Sequence, residues 1–389
     1  MNETKYYRHY CTGCGLCSSV NGIEMEQEGH FSVPKLQNDD WEFCRDVCPV
    51  NGIQFNKSEY SSRWGSYKDV YQGWATDDEI RYKASSGGVL SGLALYLIES
   101  EKVDGILQIR GGSDPLTTQL VCSKDRDSVV TCCGSRYISS SPLTNISQYF
   151  NDGYRYAFIG KPCDVEAMKN FLLLHPDLQV QFPYLLTFFC AGAPSRAASI
   201  NLSEDLGVPE QQIHSIRYRG YGWPGKATVT NLEGTTVEMP YIDSWNNYLG
   251  KDVRKMCKFC INGTGEFADV SCGDLWSLKD NVPDFSEKPG INIVFARSKK
   301  GKELLELAAH AGYLHLEPYT LNEDLEKIQP KHSDMRAFCL AKVIGLRLTG
   351  KEPPRYSFRK MLPYWKLKPV SRQIRTIMGT IKRSAKGRL

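Results

Sequence analysis

Tyr156-Ala-Phe-Ile-Gly-Lys-Pro-Cys163, with the segment running on to Leu174, decides the fold class. A short apolar and aromatic run ends at a glycine and a proline, and a helical pattern follows at once, so a buried strand feeds a helix through a tight turn. That is the half-unit of an α/β protein. The alternation recurs along the chain. Strands are expected at Val70–Trp74, Gly105–Ile109, Tyr156–Ile159, Leu185–Phe189, Ile213–Tyr218, Ala227–Thr230 and Ile291–Ala296, and helices at Gly88–Glu101, Asp164–Leu174, Ser195–Leu206 and Lys300–Ala311. The expected architecture is an α/β (mixed α+β) body of two units, residues 67–133 and 134–317. A cysteine-rich segment, residues 1–57, precedes it, and a basic tail, residues 341–389, follows.

The chain has 389 residues, 41% hydrophobic and 24% charged, which excludes disorder and fibres. Its longest apolar stretch, Gly87–Ile98, falls short of the roughly 18 to 20 residues that span a bilayer. The polar first ten residues carry no apolar signal core, so a cytoplasmic location is expected. The net charge of +4 conceals a tail with 14 Lys+Arg and one acid beside an acidic body. Fourteen cysteines in a reducing compartment point to metal or redox work rather than disulfides.

Cys11-Thr-Gly-Cys14-Gly-Leu-Cys17 places cysteine at every third position, the spacing that wraps three thiolates around one face of an iron–sulfur cube. Gly13 and Gly15 let backbone amides approach the sulfurs. Bacterial ferredoxins take a fourth ligand from a distant Cys-Pro, and Cys48-Pro49 supplies one. Asn21 stands where the first repeat's own fourth cysteine would be, and the second repeat keeps only Cys44 and Cys48. The segment thus reads as a degenerate, ferredoxin-like unit retaining one 4Fe-4S cluster on Cys11, Cys14, Cys17 and Cys48. Cys44 is a leftover or an alternative fourth ligand. Zinc is the lesser reading, because structural zinc sites pair two C-x2-4-C hooks.

Cys163 sits at the strand-to-helix turn, where α/β proteins place ligands, and Cys190 ends the next strand in the same way. Cys257-Lys-Phe-Cys260 adds a C-x2-C pair that suits zinc as well as iron–sulfur, and Cys272 follows in Ala268-Asp-Val-Ser-Cys-Gly-Asp274. Each alone is equally a small buried hydrophobe. Ser85, Ser86, Gly87 and Gly88 open the first long helix, where amides face a phosphate or a serine simply caps. Ser135, Arg136 and Tyr137 follow Gly134 as a hydroxyl, basic and aromatic cluster that could grip a cofactor or lie on the surface. Arg219-Gly-Tyr-Gly-Trp-Pro-Gly-Lys226 is either a loop covering a site, with Trp223 exposed, or a long hairpin turn. Lys161, Asp269 and Asp274 are polar candidates for a pocket, with capping and surface charge the plain alternatives. No Gly-x-Gly-x-x-Gly opens a βαβ unit, so direct NAD(P)H use is not expected. The seven histidines read as surface or core residues, and Cys122, Cys132, Cys133 and Cys339 as small core or surface residues.

In this order, Cys11-x2-Cys14-Gly-x-Cys17, Cys48-Pro49, Ser85-Ser-Gly-Gly88, Gly134-Ser-Arg-Tyr137, Gly160-x-Pro-Cys163, Phe189-Cys190, Arg219 to Gly225, Cys257-x2-Cys260 and Ala268 to Asp274 carry a resemblance. The chain resembles the beta-subunit family of coenzyme F-420-reducing hydrogenase and F-420-linked formate dehydrogenase, which includes 7-hydroxymethyl chlorophyll a reductase. The resemblance covers about residues 10 to 300. It implies an oxidoreductase with FAD in the α/β body, one or two 4Fe-4S clusters, and an organic substrate or the deazaflavin coenzyme F-420 on the flavin's open face. It also implies a second cluster on Cys163, Cys190, Cys257 and Cys260, with Cys272 competing with Cys190. Bacterial members resembling this chain are associated with surface-polysaccharide biosynthesis.

Within the tail, Lys and Arg interleave with Leu362, Trp365, Leu367, Ile374, Ile377, Met378 and Ile381. The latter part forms a basic amphipathic helix suited to peripheral contact with an anionic membrane, or else a solvated or partner-binding tail, since Pro363 and Pro369 interrupt the pattern. The acidic body argues against nucleic acid. The expected activity is electron transfer from reduced ferredoxin, another redox partner or F-420, through 4Fe-4S clusters and FAD, to a small organic substrate. A non-catalytic electron-transfer subunit and a zinc-stabilised binding module are the alternatives.

Overall fold

Tyr156–Gly160 is a fully buried strand, and Pro162–Leu174 is the helix that leaves it. Pro162 fits the first turn because an amide there would have no helical partner. Asp164 closes the turn by accepting a hydrogen bond from the Lys161 amide at 2.9 Å. The structure, a computed structural model, describes residues 1–37, 39–51, 63–387 and 389, so residues 52–57 of the expected N-terminal segment lie outside the described residues.

Eight strands form the main sheet, in the spatial order Leu314–Pro318, Asp69–Ala75, Asn292–Ala296, Val270–Asp274, Tyr184–Phe188, Tyr156–Gly160, Gly105–Gly111 and Thr118–Ser123. The four strands from Val270–Asp274 to Gly105–Gly111 are mutually parallel. The outer strands pair antiparallel. Strands drawn from both expected units therefore share one sheet. Successive side chains alternate between its faces. Ile106, Ala157 and Leu186 pack with Leu93 and Leu97 of the Val89–Glu99 helix and Leu304 and Leu305 of the Lys299–His310 helix. Leu107, Phe158 and Leu185 pack with Met168, Phe171 and Leu172 on the other face.

Three of these strands escape sequence reading. Val270–Asp274 is buried along most of its length yet contains Ser271, Gly273 and Asp274, so it lacks the apolar run of a central strand. Thr118–Ser123 and Leu314–Pro318 are edge strands with mixed exposure. The expected strands near residues 213 and 227 do form, as Ile213–Arg217 and Lys226–Asn231, but in a separate three-stranded antiparallel sheet with Thr236–Pro240. The helix expected from Ser195 spans Arg196–Asp205, with the Ser195 side chain capping it.

The N-terminal segment folds as the helices Glu3–His9, Leu16–Asn21 and Trp41–Val47 around a hairpin of Met25–Glu28 and Phe31–Pro34. The basic residues at the other end are helical as well, in Cys339–Arg347, Phe358–Trp365 and Val370–Ala385. The two ends share a core in which Tyr6, Tyr7 and Tyr10 meet Leu340, Val343, Leu346 and Met361. The Tyr10 hydroxyl donates to the Glu352 carbonyl at 2.6 Å, the Tyr6 hydroxyl accepts from the Arg355 amide at 2.9 Å, and Arg355 pairs with Glu3 at 2.7 Å. No helix among the described residues is long and apolar enough to cross a membrane.

Candidate functional site

A cavity of about 460 Å³ lies beyond the carboxyl ends of the parallel strands, touching Ile159, Gly160, Phe188, Phe189, Gly273 and Asp274. Its size falls in the range of small-molecule and cofactor sites, roughly 300–1,000 Å³, and its position is where open α/β sheets bind ligands. Of the residues nominated for cofactor binding, Ser85, Ser86, Gly88, Ser135, Arg136, Tyr137 and Lys161 all line it. Gly87 does not: it packs on the sheet, where an added Cβ would stand 2.7 Å from the Gly73 carbonyl. The serines before the Val89–Glu99 helix do not cap it. Ser86 Oγ donates to the Ile291 carbonyl and Ser85 Oγ accepts from the Ser135 amide, while Asn292 Oδ1 takes the Val89 amide at 3.2 Å.

Asp274 proves to be a partner for Arg219. The carboxylate accepts from both guanidinium nitrogens, at 2.9 and 3.0 Å, and from Trp223 Nε1 at 3.3 Å. Arg219 is 3% exposed and stacks over Tyr241 and Trp276. Trp223 is buried, contrary to the expectation from its loop, because it stacks on Trp276 at 4.2 Å. Asp269 lies outside the cavity lining, before the other end of its strand, where it accepts from the Leu185 amide and pairs with Lys300.

Two cavity cations, Arg136 and Lys331, have no carboxylate partner among the described residues. Arg136 donates only to the carbonyls of Cys133, Gly134 and Ser135, and Lys331 lies over the Trp245 ring. Burial pulls both below their ordinary pKa. Lys161 is committed to Asp164 at 2.8 Å and Ser140 at 2.9 Å, and these partners outweigh its burial. His332 also lines the cavity. Its Nδ1 meets Gln329 Oε1 at 2.9 Å, its Nε2 has no partner, and burial brings its pKa down to about 4. Lys331, His332, Tyr241 and Trp276 carry no local spacing that marks them in sequence.

The nominated cysteines fall into two groups. Cys48 feels the charge of Cys14, Cys11 and Cys17, and Cys44 joins them through a hydrogen bond with Cys17 that raises its own pKa. Cys163 feels Cys190 and Cys257, and Cys260 feels both of those. Cys272 belongs to neither: it is buried in the sheet core, where burial raises its pKa and the Arg297 charge opposes that. Backbone amides donate to two of the eight sulfurs, and five more amides act to lower the pKa of a neighbouring thiol. Gly13 donates to Cys11 at 3.3 Å and Ala193 to Cys257 at 3.5 Å, while Leu16, Ser18, Val50, Gly192 and Asn262 serve Cys14, Cys17, Cys48, Cys190 and Cys260. Burial pushes the Cys190 thiol up to about 11 and raises Cys11, Cys14, Cys48, Cys163 and Cys260 as well. No three His, Cys, Asp or Glu side chains among the described residues are drawn in around a single ion.

Arg254 joins the N-terminal group to the body. It is buried against Gly13, where an added Cβ would stand 2.3 Å from its Nη2, so the glycine makes room for the guanidinium. Nη2 donates to the Ser32 carbonyl and Ser139 Oγ, at 3.0 and 2.7 Å. No carboxylate pairs with it among the described residues, and Nε has no partner. Thr12 Oγ1 and Asp164 Oδ1 are likewise buried and unpartnered. The buried Arg254 cation and the Thr12 hydroxyl beside thiols suit an anionic metal–thiolate centre, whereas the Asp164 carboxylate opposes thiolate charge at Cys14 and Cys163.

Comparison with known proteins places the chain in a family and shows its fold. Residues 70–147 match the family described as coenzyme F420 hydrogenase/dehydrogenase, beta subunit N-term, and residues 153–321 match the corresponding C terminus. A coenzyme F420 hydrogenase subunit beta of Methanococcus voltae is 24% identical over 64% of this chain and 84% of its own length. An F420-dependent formate dehydrogenase subunit beta of Methanocaldococcus jannaschii is 24% identical over 75% of this chain and 71% of its own. A chain of the F420-reducing [NiFe] hydrogenase complex from Methanosarcina barkeri shares the fold with a TM-score of 0.58, at 21% identity, over 76% of this chain and 99% of that one.

Proposed function

Because the chain belongs to the coenzyme F420 hydrogenase/dehydrogenase beta-subunit family, we propose that it is an iron–sulfur flavoprotein that carries electrons between a redox partner and an organic substrate. The observation that carries the reading is the gathering of eight cysteines into two groups, with the Gly13 and Ala193 amides donating to Cys11 and Cys257. Amide hydrogen bonds stabilise thiolates bound to iron and help set a cluster's potential, whereas a buried free thiol needs none. Cys11, Cys14, Cys17 and Cys48 would hold one 4Fe-4S cluster and Cys163, Cys190, Cys257 and Cys260 a second. Cys44, a hydrogen-bond donor to Cys17, supports the first without ligating it.

The cavity fits FAD in kind: aromatic walls at Tyr137, Tyr241 and Trp276 suit a planar ring system, and Arg136 and Lys331 are the unpaired cations that a diphosphate requires. Bound there, a flavin would exchange one or two electrons, matching one-electron clusters to a two-electron substrate. Lys161 feels the charge of Cys163 and Cys190 while lining the cavity, so it holds positive charge between the second cysteine group and the ligand. Reduced ferredoxin or coenzyme F420 is the donor in this reading, and the organic acceptor belongs to surface-polysaccharide synthesis.

Anaerobic purification tests the reading. The expected protein absorbs broadly at about 400 nm, bleaches with dithionite and releases FAD. Cys14→Ser removes the iron of one cluster and leaves flavin bound, while Cys260→Ser disturbs the other. Full iron content in both variants refutes the ligand assignment. Clusters without flavin would make the chain an electron-transfer subunit, as the names of its relatives suggest, and a colourless zinc protein would overturn the proposal.

A further inference from the structure

The C-terminal helix Val370–Ala385 is built inside out. Its fully buried side chains are polar, Gln373, Thr380 and Ser384 on one face, with Ile377 and Ile381 half-buried beside them. Gln373 Nε2 donates to the carbonyls of Ala337 and Trp365, at 2.9 and 2.8 Å, and Ser384 Oγ meets Thr349 Oγ1 at 2.9 Å. The backbone passes so close to Gly345 that an added Cβ would stand 2.8 Å from the Ile377 carbonyl. Three apolar residues face out. Val370, Ile374 and Met378, one turn apart, are 62%, 51% and 65% exposed. Phe358 and Leu362, a turn apart on the preceding helix, are 57% and 39% exposed. A helix that met only water on its outer side would show the reverse pattern.

Charge identifies what covers this row. Val370–Ala385 has no acid in its first turn and none elsewhere, whereas Arg372, Arg375, Lys382, Arg383 and the adjoining Lys386 are all exposed. At 3.6 residues per turn Lys382, Arg375 and Lys386 project roughly 80° to 120° around the axis from Ile374, a basic stripe bordering the apolar row, while Arg372 and Arg383 lie roughly 160° to 180° from it. We propose that this face rests on a membrane surface bearing anionic lipid, the apolar row at the headgroup–acyl boundary and the basic stripe among the phosphates. A protein partner would fit less well, because the cores of protein interfaces are poor in lysine and their charges are matched one by one. The surface follows from packing alone and does not depend on which cofactors the body holds.

The test uses the full chain with vesicles of mixed phosphatidylglycerol and phosphatidylcholine, against phosphatidylcholine alone. The protein is expected to co-sediment with the anionic vesicles, to leave them at high salt and to ignore the neutral ones. The pair Ile374→Ser and Met378→Ser should weaken binding by about tenfold or more, with circular dichroism and unfolding midpoint unchanged. Arg375→Gln with Lys382→Gln should do the same through the charge. No binding to anionic vesicles at low salt overturns the proposal, as does equal binding by the serine variant. Self-association in the absence of lipid, abolished by the same serines, would assign the face to a second copy and overturn it too.

Discussion

Removing the carboxylate of Asp274 tests how the cavity wall is held. Asp274→Ala takes away both carboxylate oxygens to which the Arg219 guanidinium donates and the acceptor of Trp223 Nε1. What remains to Arg219 is the Pro224 carbonyl at 3.1 Å, a long contact with Tyr137 and the faces of two rings, and it stays 3% exposed. A buried ion pair broken on one side costs about 3–5 kcal/mol, mostly the stranded charge. Asp274 itself is 18% exposed, so water reaches the gap and the low end, about 3 kcal/mol, is expected. Urea unfolding followed by tryptophan fluorescence measures it. Arg219→Met in the same background should recover part of that loss, giving a coupling energy of about 2 kcal/mol in the double-mutant cycle. A cost below about 1 kcal/mol, or additivity within about 0.5 kcal/mol, would show that the pair does not organise the wall.

Two other perturbations probe buried charge elsewhere. Arg254→Met should leave the N-terminal cluster assembled but lower its midpoint potential on the order of 100 mV in an EPR-monitored titration, because a unit positive charge no longer favours the extra electron; an unmoved potential refutes this. Glu266 should dominate the acid side of stability. Burial pushes its carboxyl up, but Arg336 at 2.7 Å, the Ser66 amide and Arg297 outweigh that and hold it below the usual range. With the folded value depressed, the stabilisation is complete above the unfolded value of about 4.3 and is lost as pH falls through the folded one. Wild type should therefore lose more stability than Glu266→Gln between about pH 4.3 and lower pH, and parallel profiles would contradict the assignment.

What the sequence made legible was local. The turn at Gly160 to Cys163 could be read because an apolar strand and a periodic helix flank it. The first cysteine group could be nominated because Cys11, Cys14 and Cys17 carry their spacing with them, whereas the second, apart from the Cys257 and Cys260 pair, came only from the family resemblance. Val270–Asp274 was hidden because burial between parallel neighbours tolerates Ser271 and Gly273, which no strand propensity favours. Arg254, Lys331 and His332 were hidden for a different reason: each acts on residues far from it in sequence, Arg254 on Gly13 and Lys331 beside Cys190. The tail showed its charge in sequence, but not which side of its last helix faces the protein.

The bonds from Tyr6 and Tyr10 to Arg355 and Glu352 join residues 349 and 342 positions apart. At a synthesis rate of roughly 5–20 residues per second, the first helix waits roughly 20 to 70 seconds for the segment that completes its core. Through that interval Cys17 is on the growing chain without the cover of Leu340, Val343 and Met361. This early segment is thus among the last to be finished, and a chain halted before residue 340 would hold Cys17 without that cover.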